Sequence, residues 1–223
     1  MKAMMNPRSR RIHPSVLYFG QPVALLSTLN ADGSSNLSPI SSCWSLGRRL
    51  VLGLGLDGQA WANLQRDPGL VLNLPEAAQW PAVERLGRLT GLAEVPAYKA
   101  AMGYRHCADK FAAAGLQPVA SEQVRPARVH ECPAQLEARA LLPQGDLLEP
   151  TLRQARERGF LILEAEVLQV HAHERICLPG SEHIDTRAWQ PLLYVFRHYC
   201  GTSAPLGANF RAETTLPEKA CTP

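Results

Sequence analysis

The stretch from Pro22 to Pro75 carries the clearest succession of apolar and polar positions in the chain. Pro22 to Leu29 is a continuous apolar run bounded by turn residues, which suits a buried strand. Asn30-Ala31-Asp32-Gly33 then supplies the Asp-Gly pair that hairpin turns favour, because glycine takes positive φ without steric cost. The pattern predicts that Ser34 to Ser42 returns antiparallel. Leu50 to Leu54 reads as a third strand after a turn at Gly47-Arg48-Arg49. Gln59 to Arg66 has helical spacing, with Trp61 and Leu64 on one face and Asp67-Pro68-Gly69 as a stop. Leu70 to Leu74 is a further strand, ended by Pro75.

Beyond Pro75 the spacing turns helical in pieces, over 77–89, 97–104 and 107–114, the last closed by Gly115. Lys99, Arg105 and Lys110 punctuate this region and read as solvated. Residues 132–142 alternate as a half-buried strand does, with Leu136, Ala138 and Ala140 set against Gln135, Glu137 and Arg139. Residues 147–158 suit a polar helix, and 159–173 give the longest strand signal. There Glu164, Glu166 and, after a break, Gln169, His171 and His173 point outward against Leu163, Ala165 and Val167. The chain divides into a mostly irregular arm (1–21), one domain (22–200) and a loose tail (201–223). Five or six strands, mostly hairpin-linked with helices inserted, favour a small closed barrel over an alternating βαβ fold.

Composition adds exclusions. With 23 basic and 20 acidic residues the balance is too even for an electrostatic grip on nucleic acid. Arg8, Arg10 and Arg11 read as a solvated terminus. Pro14, Tyr18 and Gln21-Pro22 break any secretory apolar core after them, and no run has the roughly 18 apolar residues of a membrane span, so a cytoplasmic protein is expected. The six cysteines (Cys43, Cys107, Cys132, Cys177, Cys200, Cys221) form no C-x-x-C pair and read as reduced thiols. His171 and His173 share a strand face, but no second ligand cluster lies at zinc-finger spacing, so no metal site is expected.

The return strand breaks local rules. Ser38, Ser41 and Ser42 are poor strand formers and Pro39 cannot donate to a ladder. Such breaks within a consistent hairpin mark function or strain. Small side chains let a flat ligand approach the backbone, and hydroxyls donate to it. A plain edge strand with a bulge is the alternative. The following Gly53-Leu54-Gly55-Leu56-Asp57-Gly58 matches G-x-G-x-x-G after a strand and before a helix, with Glu76 near the position of a ribose-binding acid. A Rossmann-type dinucleotide-binding enzyme using Gly53 to Gly58 is therefore the competing reading. The preceding hairpin and the missing strand-helix repeat count against it.

Taken together, the serine-rich strand from Asn36 to Ser42, Asn63 in its short helix, Leu70 to Pro75, Asp109-Lys110-Phe111 before Gly115, and the 159–173 strand resemble the flavin reductase-like family, with the FMN-binding split-barrel fold. The likeness covers roughly residues 15–200. It implies a mainly β, homodimeric split barrel with inserted helices that holds FMN, or FAD, without a covalent bond. Carried over, Asn36, Ser38, Ser41 and Ser42 hydrogen-bond the flavin, and Pro39, Ile40, Cys43 or Trp44 lie against the ring. The loop holding Leu56, Asp57, Gln59, Ala60 and Asn63 binds the phosphate. Ala60 departs from the family, where a threonine often caps this helix, so phosphate contacts fall to backbone amides, Gln59, Arg48 or Arg49. Arg197, His198 and Tyr199 resemble a segment that nears the flavin or nicotinamide. His198 either donates to reduced flavin or substrate, as the candidate catalytic group, or serves a dimer contact. The 77–114 region covers the flavin or extends the dimer contact.

The implied activity is an NAD(P)H-dependent flavin reductase passing electrons to free flavin or a partner oxygenase. A non-catalytic flavin-binding or electron-transfer protein is the alternative within the same fold. The cofactor carries hydride chemistry itself, so a catalytic triad is not required.

Overall fold

In the computed structural model, which describes residues 9–143, 148–209 and 212, regular structure begins at β1 (Phe19–Pro22). This strand lies inside the stretch expected to be an irregular arm, and it pairs antiparallel with β13 (Leu193–Val195) late in the chain. Between them come β2 (Ala24–Leu29), β3 (Ser35–Ile40), β4 (Cys43–Leu46) and β5 (Arg49–Gly55), then α1 (Gln59–Leu64) and β6 (Gly69–Leu74). The helical region holds α2 (Trp80–Leu86), β7 (Leu89–Thr90), α3 (Ala97–Ala101), β8 (Arg105–His106) and α4 (Lys110–Ala114). After β9 (Pro118–Val119) and β10 (Arg128–Val129) follow β11 (Ala134–Leu141), α5 (Leu148–Arg158) and β12 (Phe160–Ala172), and β14 (His198–Cys200) comes last. Of the sequence readings, Arg8, Leu147 and Cys221 lie outside the described residues.

The order β3-β2-β6-β11-β12-β5-β4 gives a seven-stranded sheet whose ladders are all antiparallel. Its two edge strands, β3 and β4, are consecutive in sequence and joined only by Ser41 and Ser42. Three residue steps span at most about 11 Å, so the sheet must curl until its opposite edges meet at that link. This is the split barrel. Inside it pack Leu26, Leu50, Leu52, Trp61, Leu64, Leu70 and Leu163. On the other side of β2 and β3 a second cluster joins Leu25 and Leu37 to Val83, Leu86, Phe111 and Leu192.

The antiparallel sheet overturns the Rossmann reading of Gly53 to Gly58, because a dinucleotide crevice needs parallel strands. The glycines have other uses. A Cβ on Gly53 would lie 2.9 Å from that of Ser42, whose carbonyl accepts the Gly53 N–H at 2.7 Å. Gly53 is there so that the seam can close. Gly58 precedes α1 in extended conformation without a side-chain cap.

The break foreseen in the alternation of the longest strand is a bulge. Glu137 pairs with Gln169 and Ala138 with Val167, which leaves Leu168 without a partner in the ladder. Arg48 holds the bulged turn by donating to the carbonyls of Val167 (3.0 Å) and Leu168 (3.2 Å). Beyond the bulge the expected outward row ends. His171 turns in to meet the Glu137 carboxylate at 2.7 Å, and His173 lies 6.3 Å, ring to ring, from His130.

Candidate functional site

The hairpin that opens the barrel also shapes its exposed edge. Asn30 N–H bonds the Ser34 carbonyl and Gly33 N–H the Asn30 carbonyl, a three-residue turn with Gly33 at φ 85°. Counting outward from that bonded pair, hydrogen-bonded and non-bonded pairs alternate, so Ser35, Leu37 and Pro39 aim their backbone polar groups away from β2. Proline is tolerated at residue 39 because its missing N–H would have faced the open edge. On the barrel side of β3, Asn36, Ser38 and Ile40 line up with Thr28, Leu26 and Ala24 of β2.

A buried polar knot sits at the start of that edge. Asn63 is wholly buried and donates to Thr28 Oγ1 (3.0 Å) and Asn30 Oδ1 (2.9 Å), while its own Oδ1 accepts from Gln59 (2.8 Å) and Arg66 (2.8 Å). Asn36 donates to Ser38 Oγ (3.1 Å) and more weakly to Thr28 Oγ1. Asn36 Oδ1 is the buried side-chain acceptor left without a donor among the described residues. It faces Gly91, where a Cβ would come within 2.7 Å of it. Asn63 and Gln59 thus serve first to bind α1 to the hairpin. Leu56 packs on the barrel core, Ala60 is buried within it, and Asp57 is exposed.

Two open cavities flank the seam and share Ser41 and Tyr18. One, of about 570 Å³, includes Ser42, Cys43, Trp44, Gly53, Phe160 and Ile162. Cys43 itself is buried, and burial pushes its thiol up to about 11. The other, of about 620 Å³, lies along Pro39, Ile40 and Ser41 and is completed by Tyr18, Glu84, Arg88, Met102, Tyr104, Tyr194, Arg197 and Tyr199. Its tyrosines form a chain, with Tyr194 5.5 Å from both Tyr18 and Tyr199, and Tyr199 stacked on Trp80 at 5.9 Å. Tyr199 donates to Glu84 at 3.0 Å; burial and that carboxylate raise its pKa. Arg197 comes from the two-residue turn between β13 and β14, in which Phe196 and Arg197 both hold positive φ, 44° and 67°. Such turns favour glycine or asparagine, so this one stores strain. The geometry therefore gathers Pro39, Ile40, Ser41, Arg197 and Tyr199. His198 is exposed, bonded through Nδ1 to the Phe196 carbonyl (3.0 Å), and lines neither cavity.

Cations gather near the loop before α1. Lys99 donates to the Asp57 carbonyl, and Tyr98 donates to the Asp57 carboxylate at 3.0 Å. Lys110, read from the sequence as solvated, is 3% exposed. No hydrogen bond or ion pair holds its ammonium among the described residues. Burial pushes its pKa down to about 8, the Cys107 thiol opposing the fall and nearby Lys99 adding to it. Arg48 and Arg49, the arginines expected to reach a phosphate at this loop, lie at the far end of β5 from it, about 20 Å away along the strand. Arg48 is occupied at the bulge instead.

Comparison with known proteins decides the family. The model of the flavin reductase like domain matches residues 16–203. The chain belongs to the flavin reductase-like family. YdfE of Bacillus subtilis (strain 168), an uncharacterized protein, is 40% identical over 217 residues, which are 96% of this chain and 99% of YdfE. Flavoredoxin of Desulfovibrio vulgaris (Miyazaki F) superposes with a TM-score of 0.72 at 17% identity, over 93% of this chain and 100% of its own. The 2-nitrobenzoate 2-nitroreductase NbaA of Pseudomonas fluorescens gives 0.67 and 14%, over 91% of this chain and 90% of its own. The NADH:FAD oxidoreductase SgcE6 of Streptomyces globisporus gives 0.58 and 14%, over 88% of this chain and 99% of its own. These likenesses establish the split-barrel fold expected from the sequence.

Sequence reasoning missed Tyr18, Arg88, Tyr104, Tyr194 and the burial of Lys110. The first four are scattered between Tyr18 and Tyr194 and carry no local pattern. For Lys110, the Asp109-Lys110-Phe111 run before a glycine stop was the available signal.

Proposed function

We propose that this flavin reductase-like protein binds FMN along the β3 edge and acts as an NAD(P)H-dependent oxidoreductase. Electrons then pass to free flavin or to a partner such as an oxygenase. The observation that carries the reading is Lys110. Its stem is buried while its ammonium has no counter-ion among the described residues, and an anionic group brought by a ligand would supply one and offset the desolvation that lowers its pKa. With Lys99 beside it, near the loop of Leu56, Asp57 and Gln59, it suits a phosphate. The edge residues Pro39, Ile40 and Ser41 suit a planar ring, and Ser38, Ser41 and Ser42 supply hydroxyls. FAD would meet the same ring and phosphate contacts. A bound flavin supplies the hydride chemistry, and the protein's part is to orient it and tune its surroundings.

The family likeness supports this assignment, and one structural neighbour, SgcE6, is an NADH:FAD oxidoreductase. A homodimer is part of the proposal. Trp44, Leu46, Phe160 and Ile162 are exposed apolar side chains on β4 and β12, both bordering β5, and a second copy would cover them. Among the described residues no helix is long and apolar enough to cross a membrane.

The test is spectroscopic. Purified protein incubated with FMN should retain a flavin spectrum after gel filtration and bleach anaerobically on adding NADH or NADPH. Retention without bleaching by either nucleotide would leave the non-catalytic electron-transfer reading, and no retention would remove both. Lys110→Met should weaken FMN binding at least about tenfold while changing riboflavin binding little, since only FMN carries the phosphate. FMN affinity should also fall as pH rises through about 8, where the free Lys110 loses its proton. Equal losses for both flavins would refute the phosphate assignment.

A further inference from the structure

We infer that the cavity between the β13–β14 turn and α2 binds a second ligand besides the flavin, a small planar aromatic carboxylate. Its lining combines two features that seldom share a site by accident. Tyr18, Tyr104 and Tyr194 present ring surface, and Arg88 and Arg197 present guanidinium groups. Both arginines are exposed, and neither side chain makes a hydrogen bond or an ion pair within 4 Å among the described residues, so both guanidinium groups are free to meet an incoming anion. A carboxylate, Glu84, lines the same cavity, yet it receives the Tyr199 hydroxyl rather than either arginine. Two unneutralised guanidinium forks in an aromatic cavity match a carboxylate on a ring. The fork binds two oxygens in one plane and also stacks on π faces.

The second argument is the strain at Arg197. A two-residue turn whose residues both hold positive φ is ordinarily filled with glycine or asparagine. Here Phe196 and Arg197 fill it, at φ 44° and 67°. Phe196 is fixed by an edge-on contact with Phe19 at 4.6 Å and by its N–H on the Tyr18 carbonyl at 2.9 Å. The surrounding structure thus forces the turn and keeps Arg197 at the cavity, where its charge has no internal use. Backbone strain held in place by its neighbours is a mark of ligand sites.

The cavity, about 620 Å³, has the size of a small-molecule site. It also includes Pro39, Ile40 and Ser41, so the inference rests on the flavin reading for its neighbour, though not for its own contacts. The experiment is calorimetric titration of benzoate and its neutral isostere benzamide, into FMN-loaded protein if FMN binds and into the protein alone if it does not. FMN retention is measured separately, so failure of the flavin reading shows there and leaves the benzoate result readable. Benzoate should bind at least about tenfold more tightly than benzamide, the loss expected for one charge-assisted contact. Arg197→Met and Arg88→Met should each weaken benzoate by a similar factor and leave benzamide nearly unchanged. Arg153→Met, an exposed cation on α5, should change neither. Benzamide binding as tightly as benzoate would overturn the inference. So would benzoate affinity unchanged in Arg197→Met, or exclusion of benzoate by bound FMN.

Discussion

Replacing Glu137 by glutamine should destabilise this protein by about 3–5 kcal/mol, the range for breaking a buried charged network by removing one partner. Glu137 is fully buried on β11. Its carboxylate accepts the backbone N–H of Glu122 (2.9 and 3.1 Å), Gln123 (2.6 Å) and Val124 (3.2 Å). His171 Nε2 lies 2.7 Å away and Arg128 Nε 3.7 Å. A glutamine keeps the shape but turns one acceptor into a donor facing N–H groups, and it removes the charge that strengthens the remaining bonds. For a domain of this length each kcal/mol moves Tm by about 2–4 °C, so Tm at pH 7 should fall by about 6–20 °C. Burial alone would raise the Glu137 pKa. The Glu122 and Gln123 N–H groups and His171 outweigh it and hold the carboxyl below the ordinary 4.5. A lowered carboxyl stabilises the fold above its unfolded value, and that contribution disappears as pH falls through the folded value. Thermal unfolding followed by circular dichroism from pH 7 to pH 3.5 should therefore show the wild-type and E137Q curves converging below about pH 4.5. Amide exchange at residues 122–124 should speed up in the variant at pH 7. A Tm difference under about 2 °C at pH 7, or a gap that stays constant down the pH series, would refute the reasoning.

Two further substitutions test the frame around the site. Gly53→Ala puts a methyl 2.9 Å from Ser42 Cβ and should cost about 1–3 kcal/mol, read by urea unfolding, with weakened FMN retention because Ser42 must move. Asn63→Ala removes bonds to Thr28, Asn30, Gln59 and Arg66 from a fully buried position and should cost at least about 2 kcal/mol. A near-neutral Asn63→Ala that lost flavin would show instead that Asn63 serves the ligand more than the fold.

Where local chemistry decides structure, the sequence was readable. The Asp32-Gly33 turn, the strands on either side of it, β6 before Pro75 and the break in β12 all follow from turn residues and period-two patterning. β4 was overlooked because Trp44 and Leu46 face outward and spoil the alternation of a half-buried strand. β1 has only a distant partner to define it. The polar row of β11 was expected to face water, yet Gln135 and Glu137 are buried, because the loop between β9 and β10 folds over Glu137 and supplies its N–H donors, while β10 itself meets Gln135 through Arg128 and the Val129 carbonyl. Burial of Glu137 and Lys110 depends on chain that arrives from elsewhere, which no local window records. The glycine motif offered a competing reading for a related reason, since a close strand contact and a dinucleotide turn select the same residue.

The link Ser41-Ser42 closes the barrel and also lines both cavities at the candidate site. Folding and ligand capture therefore share one hinge, and loosening it to admit a bulkier ligand would at once expose the apolar lining of the sheet. Selection for a new ligand would meet less resistance in α2, α3 and the β13–β14 turn, which border the groove without closing the barrel. Drift in specificity should accumulate there, while the two serines and Gly53 change together or hardly at all.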